Sequence, residues 1–369
     1  MKLILVSPKN RTVYNFRGDL IRKLQASGFE VVVTGPNRDD VQKVEALGVR
    51  FIEVPMAKNG TNPFADLSYK NRLKKIFREE KPDIVLGYTI KPVIYGTWAA
   101  KSAGVKNINA MITGVGYTFL AKSKKAKILR WLVFKLYRHS LKKATHVIYQ
   151  NKDDLALFVK HKLVNVKKCS IVNGSGVNIT HFTPQPLPEG APCFFMLSRL
   201  LKSKGVMEYL EAARLTKEKY PEATFTILGK YETAMQDAVA RDVVEKYIND
   251  GIVTKYDETD DVRPYYGKCS VYVLPSYGEG TPRTVLEAMA SARPIITSDA
   301  NGCRETVVDG ENGFLVPVKD AKSLKDKMCY FIEHPEKIKS MGAASRAICE
   351  EKYAVEKVNH TLFEIMEIQ

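Results

Sequence analysis

Residues 269–287 read CSVYVLPSYGEGTPRTVLE, an apolar run followed by a corner of glycine, threonine and proline. The run is typical of a buried strand, and PRTVLEAMA predicts a helix with Pro282 in its first turn. Glu279 precedes the corner and Glu287 lies within the helix. Exposed amides at such a helix start can receive phosphate or sugar oxygens. The two carboxylates suit two pairs of vicinal hydroxyls; alternatively, one caps the helix and the other is a surface group.

Short apolar runs alternate with amphipathic stretches along the whole chain. The first half contains KLILVS, EVVVTG, RFIEVP, DIVLGY, NINAMI and HVIYQ, and the second half contains CFFMLS, TFTILG, GIVTKY, SVYVLP and PIITSD. Such alternation predicts parallel sheets with helices on both faces. The expected fold class is therefore α/β, with two doubly wound, Rossmann-like domains facing a central cleft.

A proline-rich segment, NITHFTPQPLPEGAPC, separates the two halves of the chain. Its composition is typical of an interdomain linker, which predicts a boundary near residue 185. We expect a first domain at 1–185 and a second at 186–345. The helical segment 346–369 is expected to cross back to the first domain.

Composition limits the class of protein and its compartment. The chain has 369 residues, a net charge of +16 and six cysteines without a Cys-x-x-Cys pair. We expect reduced thiols, with neither a disulfide framework nor a zinc site. The N-terminal apolar run is too short for a signal peptide, so we expect a cytoplasmic chain that does not cross a membrane. The excess charge favours nucleic acid, an anionic membrane or a phosphate-rich substrate as partner.

Two cations follow the first strand of the second half. In FFMLSRLLKSKG, Arg199 and Lys204 come at the predicted strand-to-helix loop. Paired cations at such a loop can bind a diphosphate, although each alone is typical of a solvated surface. Because both belong to the same domain as Glu279 and Glu287, the four residues together favour a nucleoside-diphosphate site.

The segment KSKKAKILRWLVFKLYRHSLKK, residues 122–143, contains no acidic residue. At helical period, one apolar face is predicted to pack on the core; its members are Ile128, Leu129, Leu132, Val133 and Leu136. The rest of the helix mixes cations with large apolar groups, which favours an anionic membrane surface. The residues expected at the membrane are Lys127, Arg130, Trp131, Phe134, Lys135, Arg138 and Lys142. Alternatively, a neighbouring loop covers the aromatic rings; nucleic acid is disfavoured because no recognised nucleic-acid motif is present.

Several motifs carry a family resemblance over nearly the whole chain. SRLLKSKGV, ILGKYE, VLPSYGEGTPRTVLEAMASARPIITSD and NGCRETVVDGENGFLV resemble the second domain of the family 4 retaining glycosyltransferases, which have the GT-B fold. YTIKPVIYGTWAAK, MITGVGYTF and IVNGSGVNITHF resemble the bacterial subset that extends polyprenyl-diphosphate-linked oligosaccharides. Thr281 stands where the family more often has an apolar residue, and SPKNRTVYNFRGD replaces a Gly-Gly pair common after the first strand.

The resemblance implies roles for named residues. Arg199, Lys204 and Glu279 are expected to be catalytic, with Glu287 on the ribose hydroxyls and Glu279 on the donor sugar. The donor site would further contain Gly229, Gly280, Thr281, Pro282, Gly114 and Gly116, the last two allowing close backbone approach or forming an ordinary turn. The acceptor would be bound by Arg17, Lys91 and Tyr117.

The expected function is retaining transfer from a UDP-sugar to a polyprenyl-diphosphate-linked saccharide, peripherally at the cytoplasmic face of the bacterial inner membrane. The donor sugar expected is an N-acetylhexosamine, with N-acetylgalactosamine first. The chain has no Asp-x-Asp triplet, so we expect no metal and no cofactor. A nucleotide-sugar 2-epimerase is one alternative, disfavoured because no histidine lies in the expected cleft loops. A non-enzymatic, basic membrane-binding module is another.

Overall fold

The computed structural model describes residues 1–57, 62–115, 124–233 and 235–368. The chain divides into two compact units. The first consists of Met1–Ser175 with Glu356–Gln369, and the second of Gly176–Val355.

The first unit is built on a parallel sheet of seven strands in the order β3-β2-β1-β4-β5-β6-β7. The strands are β1 Lys2–Val6, β2 Glu30–Gly35, β3 Arg50–Glu53, β4 Ile84–Tyr88, β5 Asn107–Ile112, β6 His146–Tyr149 and β7 Cys169–Ile171. The central strands are almost continuously apolar because helices cover both faces. The strand order reverses between β1 and β4, where open α/β sheets bind ligands at the carboxyl ends of their strands.

The helices of the first unit connect these strands. They are α1 Asn10–Ala26, α2 Val41–Glu45, α3 Pro63–Glu80, α4 Thr97–Ala103, α5 Lys124–Leu141, α6 Lys152–Lys160 and the C-terminal α13 Val355–Ile365, together with a π-helix at Pro92–Gly96 and a 3₁₀ turn at Val166–Lys168. Leu362 and Met366 of the C-terminal segment are buried in the core of this unit. Asn107 Nδ2 donates a hydrogen bond of 2.7 Å to the Met366 carbonyl, which fixes the end of the chain.

The second unit contains a parallel sheet of six strands in the order β10-β9-β8-β11-β12-β13. Its strands are β8 Cys193–Leu197, β9 Thr224–Leu228, β10 Thr254–Tyr256, β11 Val271–Leu274, β12 Ile295–Ser298 and β13 Gly313–Val316. Its helices are α7 Val206–Lys219, α8 Arg241–Asn249, α9 Arg263–Gly267, α10 Arg283–Ala290, α11 Ala321–Glu333 and α12 Pro335–Ile348, with 3₁₀ turns at Lys202–Lys204 and Arg304–Thr306 and a π-helix at Cys349–Tyr353. The alternation of strand and helix thus continues through both units.

The division falls at Ser175, ten residues before the boundary expected near 185. The proline-rich segment belongs to the second unit because Arg293, which is fully buried, bonds to it. The guanidinium donates to the carbonyls of Gln185 and Pro186 at 2.9 and 2.7 Å. At the other end, Glu356 rather than residue 346 begins the C-terminal part that joins the first unit. A linker-like composition therefore does not prevent a segment from being anchored.

The predicted core face of helix α5 is only partly correct, because Val133 is buried and Leu129 and Leu136 pack against the core as expected. Ile128 and Leu132, expected in the core, are exposed, whereas Val133, Tyr137 and Leu141 are buried. The Tyr137 ring packs edge-on against Phe158 with centroids 5.0 Å apart. Because α5 has apolar residues on most of its circumference, hydrophobicity alone does not determine which face is buried, and the predicted face was wrong at these two positions.

Candidate donor-binding site

Two residues that the sequence predicts as parts of one site lie next to each other, one in the loop after β8 and the other in the loop between β11 and α10. Lys204, in the 3₁₀ turn after β8, makes an ion pair through Nζ with Oε1 of Glu279. Their side chains are 22% and 15% exposed, so the pair is shielded from bulk water but reachable. The loops after β8 and β11 therefore meet at this ion pair.

Glu287 is held within α10 by two donors. The Tyr266 hydroxyl donates to Oε2 at 3.0 Å, and Arg283 Nε lies 3.2 Å from Oε1. Burial raises the pKa of the Glu287 carboxyl above 4.5, and Arg283 partly opposes the shift. Arg283 precedes Glu287 by four residues and could have been found from helical spacing. Tyr266 lies on a different helix, α9, and no local sequence signal indicates it.

Arg199 occupies a more open position than Lys204. Its side chain is exposed, and Nη1 lies 3.7 Å from Oε1 of Glu232. At this distance and exposure the pair contributes little to stability, so the guanidinium can leave Glu232 for another anion. The two predicted cations therefore differ, because Lys204 is held in a shielded ion pair whereas Arg199 is exposed and only weakly paired.

Two glycines allow the loops of this site to pack closely. A Cβ on Gly302, whose φ is +72°, would collide with the carbonyl oxygens of Gly280 and Glu279. The Glu279 amide also donates to the Asn301 carbonyl at 2.9 Å, which ties the two loops together. Gly229, expected at the donor, follows β9, and a Cβ there would collide with the Ser198 carbonyl. Gly302 was missed by the sequence analysis.

The corner itself is as expected except at the helix start. Gly280 is buried and Thr281 is half-buried, both ahead of α10. Pro282 is the N-cap residue with φ −72°, so α10 begins at Arg283, one residue later than predicted. Proline suits this position because its fixed φ lies in the range it adopts here.

Among the acceptor candidates in the first unit, Arg17 is not a surface cation. Its side chain is 3% exposed, with the guanidinium carbon 5.1 Å from the Tyr88 ring centroid. Nη2 donates to the Met111 Sδ at 3.0 Å. This burial does not favour the expected contact with a diphosphate.

Lys91 follows β4 and is paired with an acid that the sequence analysis missed. Its Nζ lies 2.7 Å from Oδ1 of Asp66, and the Tyr95 hydroxyl donates to Oδ2 of the same carboxylate at 3.0 Å. Gly114 follows β5 with φ +109°. Gly116 and Tyr117 lie outside the described residues.

Other expectations concern metals, membranes and cysteines. Within the described ranges, no group of three or more His, Cys, Asp or Glu side chains is arranged to hold a metal ion. No helix among these residues has the length and apolar character needed to span a bilayer. All six cysteines are free thiols, and burial raises the pKa of Cys269 and Cys303 to about 12.

Comparison with known families identifies both units. The family described as "Glycosyl transferase 4-like" matches residues 2–151, and "Glycosyl transferases group 1" matches residues 178–348. The chain belongs to the glycosyltransferases. The two matches cover one unit each, in agreement with the resemblance noted in the sequence.

Two curated relatives of this glycosyltransferase are named for lipid-linked substrates. The N,N'-diacetylbacillosaminyl-diphospho-undecaprenol alpha-1,3-N-acetylgalactosaminyltransferase of Campylobacter jejuni is 28% identical over 346 residues, covering 90% of each chain. The UDP-Gal:alpha-D-GlcNAc-diphosphoundecaprenol alpha-1,3-galactosyltransferase of Escherichia coli is 26% identical, covering 74% of this chain and 73% of the relative.

Solved structures confirm the GT-B fold of the glycosyltransferase. A glycosyltransferase from Rickettsia africae superposes with a TM-score of 0.81 at 19% identity, covering 99% of this chain and 97% of that chain. HepE of Anabaena in complex with UDP-glucose superposes with a TM-score of 0.79 at 17% identity, covering both chains completely. At these identities the likeness concerns the fold alone.

Gly302→Ala tests the packing of the donor loop in this glycosyltransferase. The added methyl group must displace the backbone at Glu279 and Gly280, so we expect an overpacking cost of about 1–3 kcal/mol beyond the left-handed strain. Affinity for the sugar donor expected at this loop should fall together with stability. Gly310→Ala is the matched control, because its φ is +80° but nothing lies within 4 Å of its Cβ. Equal losses of stability and affinity in both variants, measured by denaturant unfolding and calorimetry, would contradict the steric argument.

Proposed function

We propose that this glycosyltransferase moves a sugar from a UDP-sugar to a polyprenyl-diphosphate-linked saccharide, with retention of configuration and without a metal ion. The observation that carries the proposal is the ion pair of Lys204 with Glu279, with Glu287 on the helix that follows the Glu279 loop. The Campylobacter and Escherichia relatives, named for undecaprenol-linked substrates, support the acceptor class.

The donor diphosphate is proposed to lie against Lys204, Arg199 and the start of α10. Charge develops on the diphosphate as its bond to the sugar breaks, and fixed cations and helix amides can stabilise that charge. Lys204 is already ordered by Glu279. Little reorganisation is then needed when the donor binds, and these groups could supply the stabilisation that other enzymes obtain from a divalent ion.

The two glutamates are assigned different hydroxyls. Glu287, oriented by Tyr266 and Arg283, would accept from the ribose hydroxyls. Glu279 would accept from the donor sugar while keeping its contact with Lys204. In the proposed reaction the acceptor oxygen bonds to the anomeric carbon on the face that the diphosphate leaves, and the departing phosphate oxygen takes the acceptor proton.

An N-acetylhexosamine is the proposed donor sugar, with N-acetylgalactosamine first. The Campylobacter relative is named for N-acetylgalactosamine and the Escherichia relative for galactose. Thr281, half-buried at the corner, is polar where the family more often has an apolar residue. The epimerase alternative and the purely membrane-binding alternative receive no support from relatives named as transferases.

A donor screen tests the proposal. Purified protein is mixed with a membrane lipid extract and a panel of UDP-, GDP- and ADP-sugars in the presence of EDTA, and nucleotide release is measured. We expect lipid-dependent release from one UDP-sugar, lost in Glu279→Ala and retained in Glu222→Ala, an exposed acid of the same unit. Release that requires added metal would overturn metal independence, and consumption of no sugar nucleotide would overturn the transferase assignment.

Helix α5 supplies the surface proposed to lie on the cytoplasmic leaflet of the inner membrane. Its exposed strip is formed by Lys127, Ile128, Trp131, Leu132, Lys135, Arg138 and Lys142. Lys135 Nζ lies 3.8 Å from the Trp131 ring centroid, so cations flank an apolar centre. Phe134 turns away to pack on His161, and Arg130 is half-buried, so neither lies on the strip. Exposed apolar groups within a cationic border suit an anionic lipid surface.

Reversing two charges of the strip tests the membrane contact. Lys127→Glu/Lys135→Glu is expected to weaken binding to phosphatidylglycerol-containing vesicles by at least about thirtyfold, because each lysine near an anionic surface contributes about 1 kcal/mol and each introduced glutamate is repelled by that surface. Lys337→Glu/Lys339→Glu changes the net charge equally at exposed positions of the second unit and should retain binding. Similar losses in both double variants, measured by vesicle sedimentation, would indicate attraction by net charge instead of by the strip.

A further inference from the structure

The chain passes between the two units twice, and the two passages are hydrogen-bonded to each other. The main part of the first unit ends at Ser175, and the chain returns to that unit at Glu356. The Val177 amide donates to the Tyr353 carbonyl at 2.8 Å, and the Val355 amide donates to the Val177 carbonyl at 3.0 Å. The start of the second unit is therefore held by the residues that end it.

Arg283 connects this place to the donor loop. Its Nη1 donates to the Gly176 carbonyl at 2.7 Å, and its Nε lies 3.2 Å from Oε1 of Glu287. The side chains of Arg283 and Glu287 are each 13% exposed, so water competes little for these contacts. A guanidinium is planar and holds its donors in a fixed fork. The position of the Gly176 carbonyl therefore restricts where the Glu287 carboxylate is held.

The backbone conformation of Gly176 sets the direction of this carbonyl. Its φ is +69°, in the left-handed region that residues with a Cβ avoid. A side chain at this position would strain the backbone beside the accepting oxygen. Residues 176–177, here called the boundary segment, can thus be altered at Gly176 without changing any charge.

Direct binding of a phosphate is the competing interpretation of Arg283, because this residue begins α10, where the donor diphosphate is proposed to lie. Two of its nitrogens, however, are directed at Gly176 and Glu287. The two interpretations differ in which part of the nucleotide senses the loss of the guanidinium. A residue that acts through Glu287 affects the ribose contact, whereas a residue that binds the diphosphate affects every nucleotide with that group.

We infer that Arg283 is a positioning residue through which the boundary segment adjusts the Glu287 carboxylate to the ribose of the donor. This inference rests on the proposed function, because it presumes that Glu287 accepts from the ribose hydroxyls. Arg283 restrains Oε1 of this carboxylate, and Tyr266 restrains Oε2. A change in the boundary segment should therefore alter donor affinity through Arg283, without a contact of its own with the donor.

Calorimetry of Arg283→Met with UDP and with dideoxy-UDP, which lacks both ribose hydroxyls, provides the test. The Kd of UDP should rise about tenfold, the loss expected for one hydrogen bond to a charged group. The Kd of dideoxy-UDP should stay within about twofold, because it offers Glu287 no hydroxyl. Arg214→Met removes a more exposed arginine that is likewise paired four residues ahead, with Glu218, and should change neither value. Equal weakening of both nucleotides, or of neither, in Arg283→Met would overturn the inference.

Steady-state kinetics separate positioning from loss of folded protein. In Arg283→Met the UDP-sugar KM should rise about tenfold while kcat stays within about twofold, because binding to the ribose is lost equally in the ground and transition states. A fall in kcat with unchanged KM would contradict the assignment. If Arg283→Met does not fold, Arg283→Lys replaces it, since lysine keeps the charge but lacks the fork. Its melting temperature should stay near that of wild type, and its affinity for UDP alone should fall.

Gly176→Ala tests the other end of the connection. The strained backbone should weaken UDP binding about threefold, less than loss of Arg283, because the carbonyl is displaced but not removed. In the Arg283→Met background the same substitution should have no further effect, since coupled residues are not additive. Gly190→Ala is the matched control, because its φ is +88° and nothing lies within 4 Å of its Cβ. Additive losses in Gly176→Ala/Arg283→Met would overturn the connection.

The same titrations distinguish failure of the inference from failure of the proposed function. If wild type binds UDP no more tightly than dideoxy-UDP, the ribose contact assigned to Glu287 fails. If wild type prefers UDP and Arg283→Met keeps that preference, only the role of Arg283 fails.

Discussion

Lys204→Ala is expected to lower kcat by about 10²- to 10³-fold while the protein stays folded. A preorganised group aimed at charge that develops in the transition state contributes about this much in other enzymes. Lys204 is preorganised because Glu279 fixes its ammonium in a site that is mostly shielded from water. The measurement is UDP release at saturating donor and acceptor. Lys202→Ala is the matched control, since Lys202 belongs to the same 3₁₀ turn but its side chain is exposed.

Loss of stability could imitate this result, because Lys204→Ala removes the ion-pair partner of the Glu279 carboxylate. Removing one partner of a shielded pair is destabilising. The double variant Lys204→Ala/Glu279→Gln removes the remaining charge as well, so its melting temperature should return towards that of wild type. Its kcat should stay low. Recovery of kcat together with melting temperature would show that Lys204 acts through stability and not on the diphosphate.

The parallel sheets were predictable because their central strands are long apolar runs. All six runs of the first half and all five of the second correspond to strands of the structure. The two missed strands, Cys169–Ile171 and Gly313–Val316, both lie at sheet edges and have three and four residues. The other edge strands, β3 and β10, are equally short but were predicted, so edge position and length alone do not explain the two misses. The two-unit architecture follows from the sequence, whereas these two edge strands do not.

Contacts within the candidate donor site were predictable where a residue lies on a strand-to-helix loop. Glu279 and Lys204 both belong to such loops, and parallel topology brings those loops to one edge of the sheet. Tyr266 and Asp66 were missed because each reaches its partner through tertiary packing, across 21 and 25 positions of sequence respectively. The burial of Arg17 was not predicted because the sequence does not reveal that its guanidinium packs on Tyr88. Burial of a charged side chain is decided by the partners around it.

Glu287→Gln is expected to weaken UDP-sugar binding about 10- to 100-fold at pH 7.5. It should also remove the pH dependence that this binding shows in the wild type. Hydrogen bonds to a charged group are worth about 1.5–3 kcal/mol, and the amide is a weaker acceptor for the ribose hydroxyls. Burial raises the pKa of the wild-type Glu287 carboxyl. The affinity of the wild type for the UDP-sugar should therefore fall as the pH decreases through this raised pKa. The affinity of the variant should not change with pH over that range. Calorimetry should use the intact UDP-sugar and not UDP, because the terminal phosphate of UDP titrates near neutral pH and would add its own pH dependence.

The stability of Glu287→Gln should change in the opposite direction from its affinity. Since the folded protein binds the Glu287 proton more tightly than the unfolded chain does, this carboxyl destabilises the fold as the pH rises from 4.5 through the raised pKa. Without donor at pH 7.5, the free energy of unfolding of Glu287→Gln should equal or exceed that of wild type. Glu222→Gln, at an exposed position, should change neither quantity. A variant that loses both affinity and stability would indicate that Glu287 holds α10 in place, whereas loss of affinity alone assigns the carboxylate to the donor.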